Sequence, residues 1–178
     1  MRIFLLVFAV IFSANIAAAQ NIGIQFAKMP VGTKLHYKDY EGDTWVQEYR
    51  GKSGKYYIVR ETHSDRNLSV TRKYTAQGHL TQIAFRSGFK ITYSPQRCDR
   101  IVGPCSYRYK GNRRRNGMYK STLVKRGTGY DYAWARQKTD ETYDSHITLG
   151  KFNVLQEETW TSSRGKKRFV RLVKIEMP

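Results

Sequence analysis

The chain contains few acidic residues and very few cysteines. Only 14 aspartates and glutamates stand against 32 lysines and arginines in 178 residues, so the formal net charge is +18. Aromatic residues make up 13% of the chain, which excludes an acidic disordered protein. Apolar residues are sparse beyond position 19, which excludes a multipass membrane protein.

Motifs of the common catalytic sites are also missing. The sequence has no Gly-x-Ser-x-Gly elbow, no His-Glu-x-x-His pair and no Gly-x-x-x-x-Gly-Lys phosphate loop. The histidines fall singly on separate predicted hairpins and are interpreted as surface or turn residues; they are His36, His63, His79 and His146. Asp140-Glu141-x-x-Asp144 lacks the glycine and spacing of a calcium loop, so we interpret it as a solvated acidic loop. We therefore predict no metal site and no cofactor, and favour a non-enzymatic function.

Good helix formers are scarce beyond residue 19. This part of the chain holds five alanines and seven leucines, against fourteen threonines, thirteen tyrosines, nine valines and eight isoleucines. Residues of the β-branched and aromatic types fit a pleated, half-buried surface. Turn signals such as Gly51-Lys-Ser-Gly54 and Arg126-Gly-Thr-Gly129 recur at intervals typical of hairpins. The composition therefore predicts an all-β protein.

The turn spacing predicts twelve short strands in one domain that spans residues 20–178. Two segments alternate sharply between apolar and polar residues. In the first, Phe89, Ile91 and Tyr93 alternate with Lys90, and in the second, Tyr130, Tyr132 and Trp134 lie on the face opposite to Asp131. The predicted strands lie near 34–40, 44–50, 55–62, 68–75, 79–86, 89–94, 105–110, 118–125, 130–136, 145–149, 154–161 and 168–176. A sheet with this many hairpin-connected strands has edge strands that must be paired or covered. We therefore expect an antiparallel β-meander curled into a barrel, half-barrel or sandwich.

Residues 1–19 have the layout of a secretory signal peptide. Arg2 supplies a positive end, residues 3–12 form an apolar run, and Ala17-Ala18-Ala19-Gln20 offers a small-x-small cleavage site. Ten apolar residues fall short of the ~20 that span a bilayer, which argues against a membrane anchor. The sequence therefore predicts a periplasmic or secreted protein whose mature chain begins near Gln20.

In an exported protein, Cys98 and Cys105 most simply form one structural disulfide. Gly103-Pro104 between them favours the tight reversal that a small ring needs. A redox-active pair and a metal site are the alternatives, although catalytic dithiols usually lie two residues apart and a zinc site needs further ligands.

Basic residues are concentrated in two predicted hairpin connections. One carries Arg113, Arg114 and Arg115, and the other carries Lys166 and Lys167 with Arg168 beside them. A strongly positive surface attracts anionic polymers. Candidate partners outside the cytoplasm are anionic lipid headgroups, acidic polysaccharide and, less favoured, nucleic acid. The alternative is that these charges only keep the protein soluble and its edges unpaired.

The thirteen tyrosines admit two interpretations. They can fill a thin core, or they can line a groove for sugars, acyl chains or nucleobases. The sequence thus favours an exported protein that docks through a basic face on an anionic envelope component. The alternatives are a carrier of a lipid or other hydrophobic ligand in a curled-sheet cavity, and a small basic hydrolase or nuclease. A hydrolase would require a cleft in which a histidine and a carboxylate converge.

Overall fold

The computed structural model of the protein describes residues 20–64, 68–112, 116–139, 141–162 and 164–178. The predicted signal peptide, the arginine run Arg113–Arg115 and Asp140 lie outside the described residues.

The described chain forms twelve β-strands, as the turn spacing predicted. The strands are β1 (Lys34–Asp39), β2 (Thr44–Ser53), β3 (Tyr56–His63), β4 (Ser69–Tyr74), β5 (Leu80–Phe85), β6 (Lys90–Ser94), β7 (Gly103–Gly111), β8 (Asn116–Arg126), β9 (Gly129–Arg136), β10 (Thr142–Leu149), β11 (Leu155–Thr161) and β12 (Lys167–Glu176). Two short 3-10 helices, Phe26–Lys28 and Lys151–Asn153, accompany them. The prediction of an all-β meander is confirmed.

Of the three predicted architectures, the structure is a barrel. Each strand pairs antiparallel with its neighbours in sequence, and β12 closes the sheet by pairing with β1. Closure removes the free edges that an open sheet of this length would present. Because eight strands already leave only enough room for side chains, a twelve-stranded barrel encloses more space than ordinary apolar residues fill. The interior of the barrel therefore has room for a binding site.

The final strand shows how a β-bulge resolves an ambiguous pattern. Residues 169–175 are largely apolar on both faces, which favoured a central or wrapped position. In the structure the register with β1 shifts between His36 and Tyr37, so that Tyr37 pairs with Leu172 and Val173 has no partner. Val173 points outwards and is 62% exposed, while Leu172 is buried inside the barrel.

Up-and-down topology gives the barrel two ends. At the plug end, connections 54–55, 75–79, 95–102, 127–128 and 150–154 join successive strands. At the opposite end, here called the rim end, the connections are 40–43, 64–68, 86–89, 112–115, 137–141 and 162–166. The two connections that carry the predicted basic residues therefore belong to the same end.

The segment 20–29, here called the plug segment, lies across the plug end. Its backbone bonds to three connections there, through Ile22 N to Arg100 O (3.2 Å), Ile24 N to Gly78 O (3.4 Å) and Gln25 N to Phe152 O (2.9 Å). Gly23 packs so closely against the Gln77 carbonyl that a Cβ at this position would overlap it. Glycine at position 23 is therefore required for this close approach.

Apolar packing concentrates near the plug end. The ring of Phe26 lies 5.2 Å from the rings of Tyr49 and Tyr57 and 5.0 Å from that of Tyr74. The larger buried cluster also contains Met29, Leu35, Tyr37, Val59, Val70, Leu80, Ile83, Val154 and Leu172. A second, smaller cluster contains Ile22, Leu123, Tyr132 and Ile147. Both clusters include a residue of the plug segment, so this segment is part of the core.

The predicted disulfide between Cys98 and Cys105 is present, with the two Cα atoms 5.9 Å apart. It bridges the 95–102 connection to β7 at the plug end. In the part of the chain that the structure describes, no helix is long and apolar enough to cross a membrane.

Candidate binding site in the barrel interior

A cavity of about 310 Å³ occupies the interior between the plug segment and the rim end. Ile24, Gly78 and Arg100 line it near the plug, whereas Trp45 and His63 lie where β2 begins and β3 ends, towards the rim. The remaining lining residues are Tyr37, Gln47, Glu61, Arg72, Tyr74, Leu80, Arg97, Asp99, Tyr132, Ile147, Leu155, Glu158 and Val170. Three arginines and three carboxylates therefore line this space, which we call the inner cavity.

Glu61 is the most heavily bonded of these charged residues. Arg72 donates two hydrogen bonds to its carboxylate, both 2.9 Å long, and Gln47 donates a third of 2.6 Å. Burial raises the pKa of Glu61, but Arg72, Gln47 and His63 together outweigh burial and hold the pKa below its ordinary value. Glu61 is 4% exposed, so the carboxylate is a fixed buried anion with a matched guanidinium.

An aromatic stack adjoins this ion pair. The ring of Trp45 lies between those of Tyr37 and His63, at 5.6 Å and 5.5 Å, and both pairs are nearly parallel. The Nε2 of His63 lies 3.2 Å from Oε1 of Glu61. Because Tyr37, Trp45 and His63 come from β1, β2 and β3, the stack fixes one wall of the cavity across three strands.

Arg97, Asp99 and Arg100 reach the cavity from the β6–β7 connection. The backbone N–H of Arg97 donates to Leu80 O (2.8 Å), and the disulfide anchors the same connection through Cys98. The described residues form no ion pair with Arg100, so its guanidinium is the one cavity arginine without a carboxylate partner among them. The disulfide therefore has a positioning role beyond stability, because it holds the loop that brings these charges into the barrel.

Several buried polar atoms around the cavity lack hydrogen-bond partners among the described residues. They include Arg97 Nε, Asp99 Oδ1 and the Tyr132 hydroxyl. Arg97 Nε lies 3.4 Å from the other Asp99 oxygen, and Tyr107 approaches Tyr132, but neither contact reaches hydrogen-bond geometry. Since folded proteins satisfy nearly all buried polar groups, unpartnered donors and acceptors in one wall favour a binding site.

A second opening lies where β10 and β11 diverge towards the rim end. The described pairing between these strands ends at His146–Thr159, whereas Thr142–Ser145 pair with β9 and Trp160 and Thr161 pair with β12. The resulting recess is about 1070 Å³, and its lining includes Tyr143, Trp160, Arg164 and Arg168. Tyr132 lines both this outer recess and the inner cavity, so the two spaces adjoin.

A continuous row of rings crosses the interior beside the recess. Each of the strands β6 to β11 contributes one ring, and a last ring follows β1. Successive rings are in contact, with centroids 5.0–6.2 Å apart. This aromatic arc consists of Tyr93, Tyr107, Tyr119, Trp134, Tyr143, Trp160 and Tyr40. Buried tyrosines such as Tyr49 fill the core, as one interpretation of the tyrosines predicted, while most arc rings are only half-buried.

Trp160 and Tyr143 give the recess its polar and aromatic character. Trp160 meets Tyr40 edge-on at 90° and Tyr143 at 49°, so neither described contact stacks in parallel on the indole. Burial and the Glu158 carboxylate raise the pKa of Tyr143, whose hydroxyl donates a 2.9 Å hydrogen bond to Glu158. A ligand in the recess thus meets a ring face next to hydrogen-bonding groups.

The described members of the predicted basic face lie at the rim end. Lys166 and Lys167 are exposed, whereas the half-buried Arg168 places its guanidinium 4.6 Å from the centroid of the Tyr40 ring. Arg168 Nε is buried without a hydrogen-bond partner among the described residues. Arg113, Arg114 and Arg115 belong to the β7–β8 connection, whose described flanks, Gly111 and Asn116, also lie at this end.

His63 differs from the sequence-based interpretation, whereas His79 lies in a turn as interpreted but is buried. His146 does lie on the outer face, with its Nδ1 2.8 Å from Asp131. His63 lines the cavity instead, and His79 is 3% exposed, with burial lowering its pKa. No spacing rule in the sequence identifies His63 as a cavity residue. The group that His63 contacts, Glu61, is paired with Arg72 on the next strand, and this pairing is visible only in the fold.

The predicted acidic loop at 140–144 is only partly a loop. Glu141 lies in the β9–β10 connection and pairs with Arg136 at 3.2 Å, whereas Asp144 lies in β10. Among the described residues, only Asp39, Glu41 and Asp43 are close enough together to hold a metal ion. Asp39 accepts backbone hydrogen bonds from both other members, so the group is explained as a turn between β1 and β2.

Comparisons of the chain with protein-family models, with curated proteins and with solved structures each returned no match. The geometry of the barrel is therefore the basis on which we assign a function.

Proposed function

We propose that this protein is an exported, non-enzymatic binding protein whose rim end docks on an acidic polysaccharide of the cell envelope. The observation that carries the proposal is that basic residues and half-buried aromatic rings occur together at the rim end, beside an open recess. The exposed Lys166 and Lys167 and the guanidinium of Arg168 supply positive charge there. In the sequence, Arg113, Arg114 and Arg115 follow Gly111 and precede Asn116, two residues that lie at the rim end.

Polysaccharide fits this surface better than lipid headgroups do. Exposed basic loops alone would suffice for headgroups, and the recess beside them would have no role. Sugar rings use both features, because their C–H faces pack on aromatic rings and their hydroxyls bond to polar side chains. Trp160 and Tyr143 offer aromatic rings in the recess, and Asp144, His146 and Thr159 line the same recess with polar side chains.

The alternative of a carrier for a hydrophobic ligand is less favoured by the cavity lining. An acyl chain placed there would remove water from the Arg97–Asp99 pair and from Arg100 without replacing the lost hydrogen bonds. Desolvating charged groups of this kind costs several kcal/mol. Ligand pockets for apolar molecules are predominantly hydrophobic, with few polar groups.

One observation favours a hydrolase as the second candidate. His63 and Glu61 converge at 3.2 Å in the wall of the inner cavity, which is the arrangement that a hydrolase would require. However, Arg72 and Gln47 already occupy the Glu61 carboxylate, and its pKa is held below the ordinary value. A general base works best with a pKa near the operating pH, so this carboxylate is better suited to structure than to catalysis.

A binding assay with three polyanions tests the proposal. Wild-type protein is incubated with polygalacturonate, with anionic phospholipid vesicles and with duplex DNA, at ~50 mM and ~300 mM salt. We expect binding to polygalacturonate that weakens as salt rises, because exposed charges are screened over ~8 Å at physiological ionic strength. Trp45, Trp134 and Trp160 all lie in the barrel interior, so a change in intrinsic fluorescence should accompany binding.

Two charge-matched variants locate the docking face. The double variant K166S/K167S removes two positive charges at the rim end, and K52S/K125S removes two near the plug end. We expect the first to weaken binding about three- to tenfold, at roughly 0.5 kcal/mol or more for each exposed charge, and the second to leave it unchanged. Equal losses in both variants would contradict docking at the rim end. Binding only to vesicles or only to DNA would overturn the choice of polysaccharide, and shortened polygalacturonate chains would support the hydrolase.

Export is part of the proposal and has its own measurement. The intact mass of protein recovered from an exporting host should correspond to a chain that begins near Gln20. A mass that retains residues 1–19 would contradict signal cleavage.

A further inference from the structure

We infer that the inner cavity is the site for one uronic acid ring at the end of the polysaccharide chain. This inference rests on the proposed function and adds to it that the protein reads chain ends. Four observations carry it: the mixture of donors and acceptors, an arginine without a carboxylate partner among the described residues, the volume of the cavity, and the closure of its far end. That arginine, Arg100, donates a long hydrogen bond of 3.4 Å to the Asn153 carbonyl.

The cavity wall contains both donors and acceptors that protein groups do not fully use. Arg97 Nε and the Tyr132 hydroxyl are buried without partners among the described residues, and so is Asp99 Oδ1. A carboxylate or phosphate only accepts hydrogen bonds, and an ammonium group only donates them. A hydroxyl does both, so a ring that carries several hydroxyls can satisfy this mixed set.

Arg100 adds a charge preference to the polyhydroxylated ring. Arg72 is paired with Glu61, and Arg97 lies within ion-pair distance of Asp99, whereas no described carboxylate pairs with Arg100. A uronic acid ring carries one carboxylate beside its hydroxyls. The carboxylate matches Arg100, and the hydroxyls match Asp99 and the other polar groups of the wall.

The volume of the cavity suits a sugar ring. At about 310 Å³ it leaves room for one six-membered ring with its substituents. The larger outer recess, at about 1070 Å³, adjoins the cavity at Tyr132 and can accept the units that follow.

The plug segment turns a single-ring site into a site for a chain end. Ile24 and Gly78 line the cavity, and their backbones are bonded at the plug end. A polymer that enters from the rim therefore meets the plug segment and has no onward path through the barrel. Only a terminal unit can occupy the inner cavity, while internal units remain in the recess and at the rim.

The test measures stoichiometry by calorimetry with galacturonic acid oligomers of increasing length. At ~300 mM salt, where the basic rim is screened, we expect the number of protein molecules bound per oligomer to stay constant as length grows. Docking along the chain by the rim alone predicts instead that this number rises with length.

The variants Y132F and R100Q keep the test independent of folding. Loss of the Tyr132 hydroxyl removes an atom without a hydrogen-bond partner, so Y132F should keep the wild-type melting temperature but bind the oligomers about tenfold more weakly. R100Q should lose at least as much affinity, because it removes the arginine that would hold the carboxylate. The control is Y56F, whose hydroxyl is outside the lining of both spaces.

The outcomes separate this inference from the proposed function. If wild type binds polygalacturonate at ~50 mM salt but Y132F and R100Q match its affinity for the oligomers, the inner site is wrong and rim docking stands. A stoichiometry that grows with oligomer length has the same consequence. If wild type binds neither polymer nor oligomers at either salt concentration, both proposals are wrong.

Discussion

The Glu61 carboxylate and the Arg72 guanidinium form a two-bonded ion pair inside the barrel, with both nitrogen–oxygen distances at 2.9 Å. The two residues lie on the neighbouring strands β3 and β4, and their side chains enter the same interior. Gln47 on β2 completes the arrangement with a third bond to the carboxylate. Three successive strands are thus tied together by one buried anion.

Replacing Glu61 by glutamine should destabilise the protein strongly. The change leaves the Arg72 guanidinium largely buried without a counter-charge, which typically costs about 3–5 kcal/mol. Chemical denaturation measures the free energy of unfolding. The control is E48Q, which breaks the more exposed Glu48–Arg50 pair and should cost at most about 1 kcal/mol. If E61Q and E48Q lose equal amounts, the interior pair does not have the structural role assigned to it.

Stability should fall in acid through the same carboxylate. The folded-state pKa of Glu61 lies below the ordinary value of 4.5, so the folded state holds this proton less tightly than the unfolded chain. The contribution of Glu61 is therefore fully present above about pH 4.5 and is lost as the pH falls through the folded-state pKa. Denaturation curves between pH 7 and pH 3 measure it. E61Q should show a smaller loss over this range, and an equal loss would contradict the assignment.

Removing the disulfide should weaken both stability and binding. Changing Cys98 and Cys105 to serine releases a closed loop of eight residues, which the chain-entropy model values at roughly 2.5 kcal/mol. The same loop carries Arg97, Asp99 and Arg100, so oligomer affinity should fall while docking at low salt stays recognisable. Thermal melts and calorimetry check the two effects. Two free thiols in unreduced exported protein would refute the predicted bridge.

Truncation of Phe26 to alanine should detach the plug segment. This ring is 3% exposed and contacts three tyrosine rings, so its loss should cost about 3–5 kcal/mol. V31A is the matched control, because Val31 is 60% exposed and its truncation should change stability little. Limited proteolysis should also cut F26A within the first residues of the mature chain. Resistance equal to that of wild type would contradict a role for Phe26 in holding the plug.

Sequence reasoning located all twelve strands to within three residues at each end. It succeeded because the turns carry glycines with positive φ, such as Gly42 and Gly88, and the strands between them are rich in β-branched and aromatic residues. Closure into a barrel remained one of three options, because the pairing of β1 with β12 joins residues more than a hundred positions apart. No local pattern marks that pairing.

The interior site was largely beyond prediction for a related reason. Glu61 and Arg72 lie on the paired strands β3 and β4, whereas Asp99 lies in the β6–β7 connection, and only the closed barrel brings all three around one cavity. The charge runs at 113–115 and 166–168 are visible in the sequence, but only the topology shows that Gly111, Asn116 and Lys167 lie at the same end of the barrel. Alternation did predict that Tyr132 points inwards, and it is 3% exposed.

Hydrogen exchange in the presence of polygalacturonate tests the central claim most directly. If the rim end docks on an acidic polysaccharide, amide protection should increase in the rim-end connections and along the recess, around 40–43, 137–145 and 160–168. The plug-end connections 54–55 and 127–128 should exchange as they do in the free protein, and the added protection should disappear at ~300 mM salt for the long polymer. Protection centred on the plug end, or none anywhere at low salt, would contradict the account.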